Sequence, residues 1–245
     1  MMMKKVQLSS HVWRLSSWLV VPINVWVVVE KQGVTLIDAG IPSMAKGIVQ
    51  FIEQLGAGPL TKVLLTHGHV DHVGALAHIR RTYDVPVYVH RKEIQYMEGQ
   101  LPYPRRKKAA ATVPPALVQP LEMDESRQLL PVGDLTPYFS PGHAPGHVVY
   151  YHKEDDVLLA GDLCTTFGGK LRRPMPMFTS NMAQAIASCS LIDTLQPHLL
   201  SICHGKEIYH PHEKYGAFHK RWHRRTAATV QQRTGSSFGH TEGDA

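Results

Sequence analysis

The chain has 245 residues, 43% of them apolar and 19% charged, and its 26 lysines and arginines against 20 acidic residues give a formal charge of +6. That composition supplies a sizeable core and argues against disorder, while the modest positive charge favours acidic ligands in general without being a nucleic-acid signature. Three cysteines, Cys164, Cys189 and Cys203, are odd in number and lack pair spacing, so a disulfide framework is a poor fit and a reducing compartment a good one.

Near the N-terminus, Lys4 and Lys5 precede an apolar stretch from Trp18 to Val29. Pro22 and Asn24 interrupt it, no small-residue cleavage site follows, and a membrane span would need about 18 uninterrupted apolar residues. The stretch reads as two buried strands of a cytoplasmic protein. Val27–Glu30 and Val34–Asp38 pair around Gly33, and Ile48, Phe51, Ile52 and Leu55 then have helical spacing, with Ser43 as the cap. Val63–Thr66 is a short strand that runs into THGHVDHVG (Thr66 to Gly74), after which Leu76, Ile79 and Tyr83 continue as a helix. Val85–Val89 is a further strand. From Gly99 to Pro120, the prolines at 102, 104, 114, 115 and 120 surround the basic cluster Arg105–Lys108, which predicts a lid or long loop.

In the second half, strands are predicted near Tyr138–Phe139, over His147–His152 and over Val157–Ala160, followed by a helix from Asn181 to Leu195 and a strand at Leu199–Ile202. Tyr215, Phe218 and Trp222 mark a final amphipathic helix carrying a second basic cluster, Lys220–Arg225; both clusters read as solvated faces. The Gly/Ser-rich tail is expected to be mobile. Strands alternating with helices, with no short repeat, indicate one layered α/β domain over residues 1–234, with the lid at about 99–120 and a tail at 235–245.

His67, His69, Asp71 and His72 place four potential metal ligands in six positions at a strand end. Any one of the chain's 16 histidines taken alone is an ordinary surface or core residue, but in an extended loop alternate side chains can converge on one ion while their neighbours turn to a second. The pattern His-x-His-x-Asp-His after an apolar strand resembles the signature of the metallo-β-lactamase superfamily, and further matches follow in order. They are His147 at the end of Ser140-Pro-Gly-His-Ala-Pro-Gly-His147, Asp162 in Gly161-Asp162, and His204 in His204-Gly205, with Asp38 in Leu36-Ile-Asp-Ala-Gly40 upstream. The resemblance, closest to the glyoxalase II and lactonase-like branch, implies a four-layer αββα sandwich. It also implies that His67, His69 and His147 hold one metal, that Asp71, His72 and His204 hold the other, and that Asp162 bridges them. Asp71 and Asp162 are thereby the expected catalytic carboxylates, and Asp38 an orienting residue. His143 is left by the resemblance as a loop or supporting residue, and Cys164 and Cys203 as small buried ones.

Such a donor set suits two zinc ions, with iron or manganese as alternatives, and the ions can share a hydroxide generated near neutral pH. The expected reaction is hydrolysis of a small-molecule carboxylic ester, thioester or lactone by that hydroxide. Asp162 at the bridging position speaks against the family's β-lactamases, and His69 against its flavodiiron proteins. Lactonases of the family carry a tyrosine three residues after the bridging aspartate, where Thr165 stands here, so an oxyanion-stabilising phenol would come from Tyr103 or Tyr209. Leu101, Tyr103, Met97, Met175, Met177 and Phe178 are candidates for an acyl pocket or for packing. His210 and His212 read as surface loop. The alternatives are a metal-dependent phosphodiesterase or nuclease, a persulfide dioxygenase with one iron on His67, His147 and Asp162, and a metal-stabilised module that binds an acidic partner. Nucleic acid and membrane partners are disfavoured, and a homodimer through the last helix is compatible with the sequence.

Overall fold

In a computed structural model, residues 3–222 are described; the predicted tail and the second basic cluster from His223 onward lie outside them. The first sheet contains β1 (Lys4–Gln7), β2 (Val12–Trp18), β3 (Pro22–Glu30), β4 (Gly33–Ile37), β5 (Leu60–Leu64), β6 (Val87–Val89) and β7 (Gln119–Pro120), side by side in chain order. Its first four strands form an antiparallel meander, and β4 to β7 run parallel. Helices α1 (Ala45–Leu55), α2 (Val70–Val73), α3 (Leu76–Thr82) and α4 (Arg91–Met97) occupy the connections that parallel strands require.

The second sheet uses β8 (Leu135–Phe139), β9 (Val148–His152) and β10 (Val157–Leu159). A separate hairpin, β11 (Thr165–Phe167) with β12 (Lys170–Arg172), and helices α5 (Met182–Ser188) and α6 (Leu191–Leu195) precede its last strands, β13 (Leu199–Ser201) and β14 (Ile208–Tyr209). The strand order is β14-β13-β10-β9-β8, with β10 and β13 parallel.

Strand alternation explains the layers. On β9, Val148 and Tyr150 join the core shared with the first sheet, while Val149 faces the other way. Val157 and Leu159 on β10 and Leu199 on β13 follow the first direction; Leu158 and Leu200 follow the second. The second face packs on Ile186 of α5, Ile192 of α6, and Phe218 and Trp222 of the helix at 212–222. The first sheet carries Ile48, Phe51 and Ile52 of α1 and Leu76 and Ile79 of α3. The architecture is the predicted αββα sandwich. A large apolar side chain contributes roughly 1.5–3 kcal/mol when buried, so a one-residue slip of β9 would cost several kcal/mol. Polar ties cross between the sheets as well: Trp26 Nε1 donates to Ser201 Oγ (2.8 Å) and the Tyr150 hydroxyl to the Leu65 carbonyl (2.9 Å). Among the described residues no helix is long and apolar enough to cross a membrane.

Three sequence expectations are corrected. Trp18–Val29 is not two strands: Trp18 ends β2, a turn follows, and Pro22 begins β3, where a first strand position tolerates its missing N–H. Asn24 fits inside that buried strand because its amide donates to the Ile202 (2.9 Å) and Gly205 (3.2 Å) carbonyls. Ser43 does not cap α1; it lies within a 3-10 turn, Pro42–Met44, that opens with proline, and no side chain caps the helix. The helix predicted over 181–195 divides at Cys189–Ser190, where amides at 189, 190, 192 and 193 bond three residues back rather than four. The Asn181 side chain caps α5 by accepting the Gln184 N–H.

Residues 98–118, spanning most of the predicted lid, contain no helix or strand. Arg105 is exposed, as the rest of its cluster is, and its guanidinium also ties the segment down by donating to the carbonyls of Pro176 (2.7 Å) and Thr179 (2.9 Å).

Candidate metal centre

Two parallel strand pairs, one in each sheet, deliver the centre. Because β4 and β5 are parallel, their C-terminal ends meet, and the Asp38 N–H donates to the Leu64 carbonyl (2.9 Å) beside the turn that carries Thr66 and His67. In the second sheet β10 and β13 do the same for Asp162 and His204. Val148 N–H joins the two ends by donating to the Thr66 carbonyl (2.9 Å).

Asp38 adopts φ 58°, a left-handed conformation that aspartate tolerates better than most residues, and its buried carboxylate fixes the first loop. It accepts the Thr66 N–H and hydroxyl (2.8 Å each) and pairs with His72 Nδ1 (2.7 Å), the orienting role expected of it. Asp71 and His72 are not in an extended loop: they sit in the single turn of α2, which leaves the His72 ring 4.0 Å from that of His67 between centroids.

Two sets of donors result. His67 Nε2 lies 3.0 Å from His69 Nδ1, which lies 3.1 Å from His143 Nε2. Burial, reinforced by the other imidazoles, depresses the pKa of His67 and His143, and burial brings His69 down to about 4, so all three rings are neutral with lone pairs available. In the second set, His204 Nε2 lies 3.2 Å from Asp71 Oδ2 and 3.4 Å from Asp162 Oδ1, and His72 Nε2 lies 3.6 Å from Asp162 Oδ1. Burial disfavours charge on His72 and His204, but neighbouring anionic groups, Asp71 and Asp162 among them, outweigh it and raise both above the ordinary histidine value. Burial likewise opposes charge on Asp71, which the nearby histidines nonetheless hold down at about 2. His72 Nε2, His204 Nε2 and Asp162 Oδ1 are buried and make no hydrogen bond. Buried polar atoms facing one another without hydrogen bonds are what a cation-binding site presents, and imidazole nitrogens with carboxylate oxygens are suitable ligands.

His147 is the departure from the predicted set. Its Nδ1 is hydrogen-bonded to Ser140 Oγ (2.8 Å) and its Nε2 accepts the Asp162 N–H (3.1 Å), so neither nitrogen is free. His143 stands in its place, with Nε2 3.2 Å from Asp162 Oδ2 and Nδ1 against Thr179 Oγ1 (3.3 Å). The only signal in the sequence is positional: His143 follows a Pro-Gly pair soon after β8, whereas His147 immediately precedes β9.

Glu93, on α4, is a buried carboxylate beneath both histidine loops that no sequence pattern singles out. Cys203 Sγ falls within reach of His72, Asp162 and His204, closer to the centre than expected of a packing residue. Cys164 is buried and its thiol pushed up to about 12 by that burial, as an inert residue would be. Tyr209 pairs with Leu199, at the end of β13 opposite His204, and His210 and His212 follow it there, away from the centre. Met97 is fully buried and is a packing residue.

The fold and site define an αββα protein built around a histidine–aspartate metal centre. The family model described as the metallo-beta-lactamase superfamily matches residues 18–204, and the chain belongs to that superfamily. It is similar to the probable metallo-hydrolase YybB of Bacillus subtilis, 38% identical over 213 residues that cover 85% of this chain and 94% of the relative. The hydroxyacylglutathione hydrolase GloC of Haemophilus influenzae is 27% identical over 135 residues, covering 55% of this chain and 62% of GloC. Among solved structures, TTHA1623 in a di-iron-bound form superposes with a TM-score of 0.61 at 27% identity, over 80% of this chain and 94% of that one.

Proposed function

We propose that this metallohydrolase holds two divalent ions and cleaves a small-molecule carboxylic ester, thioester or lactone, with a thioester the best fit. The Asp162 carboxylate carries the reading: Oδ2 turns to His143, and Oδ1 to His72 and His204. One carboxylate facing two histidine sets is what two adjacent ions require. His67, His69 and His143 would hold one ion, Asp71, His72 and His204 the other, and Asp162 would reach both. Zinc suits these donors, and the di-iron form of TTHA1623 makes iron the alternative. When bound, the ions would lower the pKa of water towards about 7 and polarise the substrate carbonyl.

The chain's own residues prepare that chemistry. Asp38 takes the Nδ1 proton of His72 and the Pro22 carbonyl takes that of His204, so each Nε2 lone pair faces the centre. His147 accepts the Asp162 N–H and fixes that carboxylate, which is placed to carry a proton during turnover. Thr165 donates its hydroxyl to the Arg173 carbonyl, and Tyr103 donates its own to Glu93, so neither is free to stabilise an oxyanion or protonate a leaving group. A thiol, with a pKa of about 8.5, departs as thiolate without a proton donor, whereas an alkoxide needs one. GloC, by its name, acts on a glutathione thioester. The 99–120 segment would serve as a lid, on which Leu101 is exposed, as are Met177 and Phe178.

The test is metal content and turnover on protein purified without added metal, for wild type and Asp162→Ala, against an ester, a thioester and a lactone of one acyl group. Two ions per chain with thioester turnover fastest, and both reduced in the variant, is the expected result. Wild type loaded with two ions that hydrolyses none of the three, or a variant with unchanged turnover, overturns the proposal.

A further inference from the structure

Glu93 accepts three hydrogen bonds and donates none. Its Oε1 takes the Gly146 N–H (2.6 Å), and its Oε2 takes the Gly68 N–H (3.0 Å) and the Tyr103 hydroxyl (2.7 Å). Among uncharged side chains of this length none can accept at both ends, so the site demands a carboxylate although the residue is fully buried. The three donors come from three segments. Gly68 lies between His67 and His69, Gly146 lies between His143 and His147, and Tyr103 belongs to the 99–120 segment, with its ring edge-on to His69 at 4.9 Å between centroids. Both glycines are needed for the approach: a Cβ at Gly68 would come within 2.4 Å of the Tyr103 hydroxyl, and one at Gly146 within 2.9 Å of Glu93 Cγ.

We infer that Glu93 is a positioning residue for the His67/His69/His143 half of the centre. By gripping the two loops that supply those histidines, it presets their spacing, and through Tyr103 it couples that half to the lid. The hydrogen bonds of Glu93 go to Gly68, Gly146 and Tyr103 and not to Asp71, His72 or His204, where Asp38 holds His72 and the Pro22 carbonyl holds His204 instead. The inference rests on the two-ion reading of the site, and its test reads metal affinity, so absent hydrolysis would overturn the function without touching it.

Zinc affinity is measured by chelator competition in two single-site backgrounds, His204→Ala, which leaves the first half, and His69→Ala, which leaves the second. Glu93→Gln places an amide N–H against a main-chain donor and should weaken zinc about 10- to 100-fold in the first background, as loss of a supporting hydrogen bond does, and not in the second. Tyr103→Phe removes only the lid donor and should weaken the same half by a smaller factor, while remaining folded. Equal loss in both backgrounds would reduce Glu93 to a general stability role, and unchanged affinity of the first half in both variants would remove its role altogether.

Discussion

Replacing Asp38 with asparagine isolates what one buried charge does for the second half of the centre. Asparagine keeps the shape and also tolerates the left-handed φ of 58°, so the backbone is not the variable. Its Oδ1 can still accept the Thr66 N–H, but the NH2 now faces His72 Nδ1, where the carboxylate accepted a proton at 2.7 Å. For that contact to survive, the His72 proton must move to Nε2, the atom that faces Asp162 and Asp71. A protonated Nε2 cannot ligate. Metal affinity at this half should therefore fall about 10- to 100-fold, equivalent to about 1.4–2.8 kcal/mol, the range seen when a ligand's supporting carboxylate is lost. Stability without metal should fall by about 1–3 kcal/mol, because a charge-assisted buried hydrogen bond becomes a neutral one. Zinc competition in the His69→Ala background and urea unfolding of the metal-free protein measure the two quantities separately. Wild-type zinc affinity in Asp38→Asn would refute the tautomer argument even if the protein were destabilised.

Other consequences can be checked the same way. His143→Ala should lose one ion per chain, whereas His147→Ala should keep both sets of ligands but strand the Asp162 N–H and leave the Ser140 hydroxyl only its 3.4 Å bond to the residue-147 carbonyl, costing about 1–3 kcal/mol; the reverse pattern in metal content would restore His147 as the ligand. Gly142→Ala should destabilise by at least about 3 kcal/mol in denaturant melts, since φ is 129° and the new Cβ would lie 2.1 Å from the Ala185 main-chain nitrogen, with no side chain able to yield. At the end of β9 opposite the centre, Asp155 accepts from Ser9 Oγ (2.5 Å) and the His11 N–H (2.7 Å) and pairs with the His11 ring (2.9 Å), clasping the β1–β2 turn to the β9–β10 turn. The hydrogen bond to Asp155 raises His11 above 6.5, so its contribution is full below that pH and lost as pH rises through the folded value. Burial opposes charge on Asp155, but its hydrogen bonds lower it below 3.8, so its contribution is full above that pH and lost on acidification. The clasp should therefore be strongest between these values, and His11→Ala should flatten the alkaline side of a stability–pH curve; an identical curve would show that the clasp is not pH-linked.

The parts of the site readable in the sequence are those whose position follows from a strand end. His67, Asp162 and His204 each come soon after an apolar strand; parallel pairing sets Asp162 beside His204 and the His67 loop beside Asp38 whatever the intervening loops do. His143 and His147 are different, because both belong to one turn between antiparallel strands and only tertiary contacts decide which ring enters the centre. Gly142 lies against the backbone of α5 and directs His143 inward, while Ser140 holds the ring of His147. Spacing cannot distinguish them; the kind of hydrogen-bond partner can, since a main-chain N–H takes the Nε2 of His147 whereas the Nε2 of His143 faces only the side chains of His69 and Asp162. The same accounting explains why Glu93 was invisible. A glutamate on a seven-residue helix reads as a solvent-facing residue, and nothing in its neighbours' identities announces that α4 runs beneath two glycines whose N–H groups have nowhere else to go. Unpaired donors are properties of a folded backbone, so the residues that satisfy them are found only after the chain has been followed through space. In this centre the ligands are legible as a pattern, and the groups that aim them are legible only as answers to that donor count.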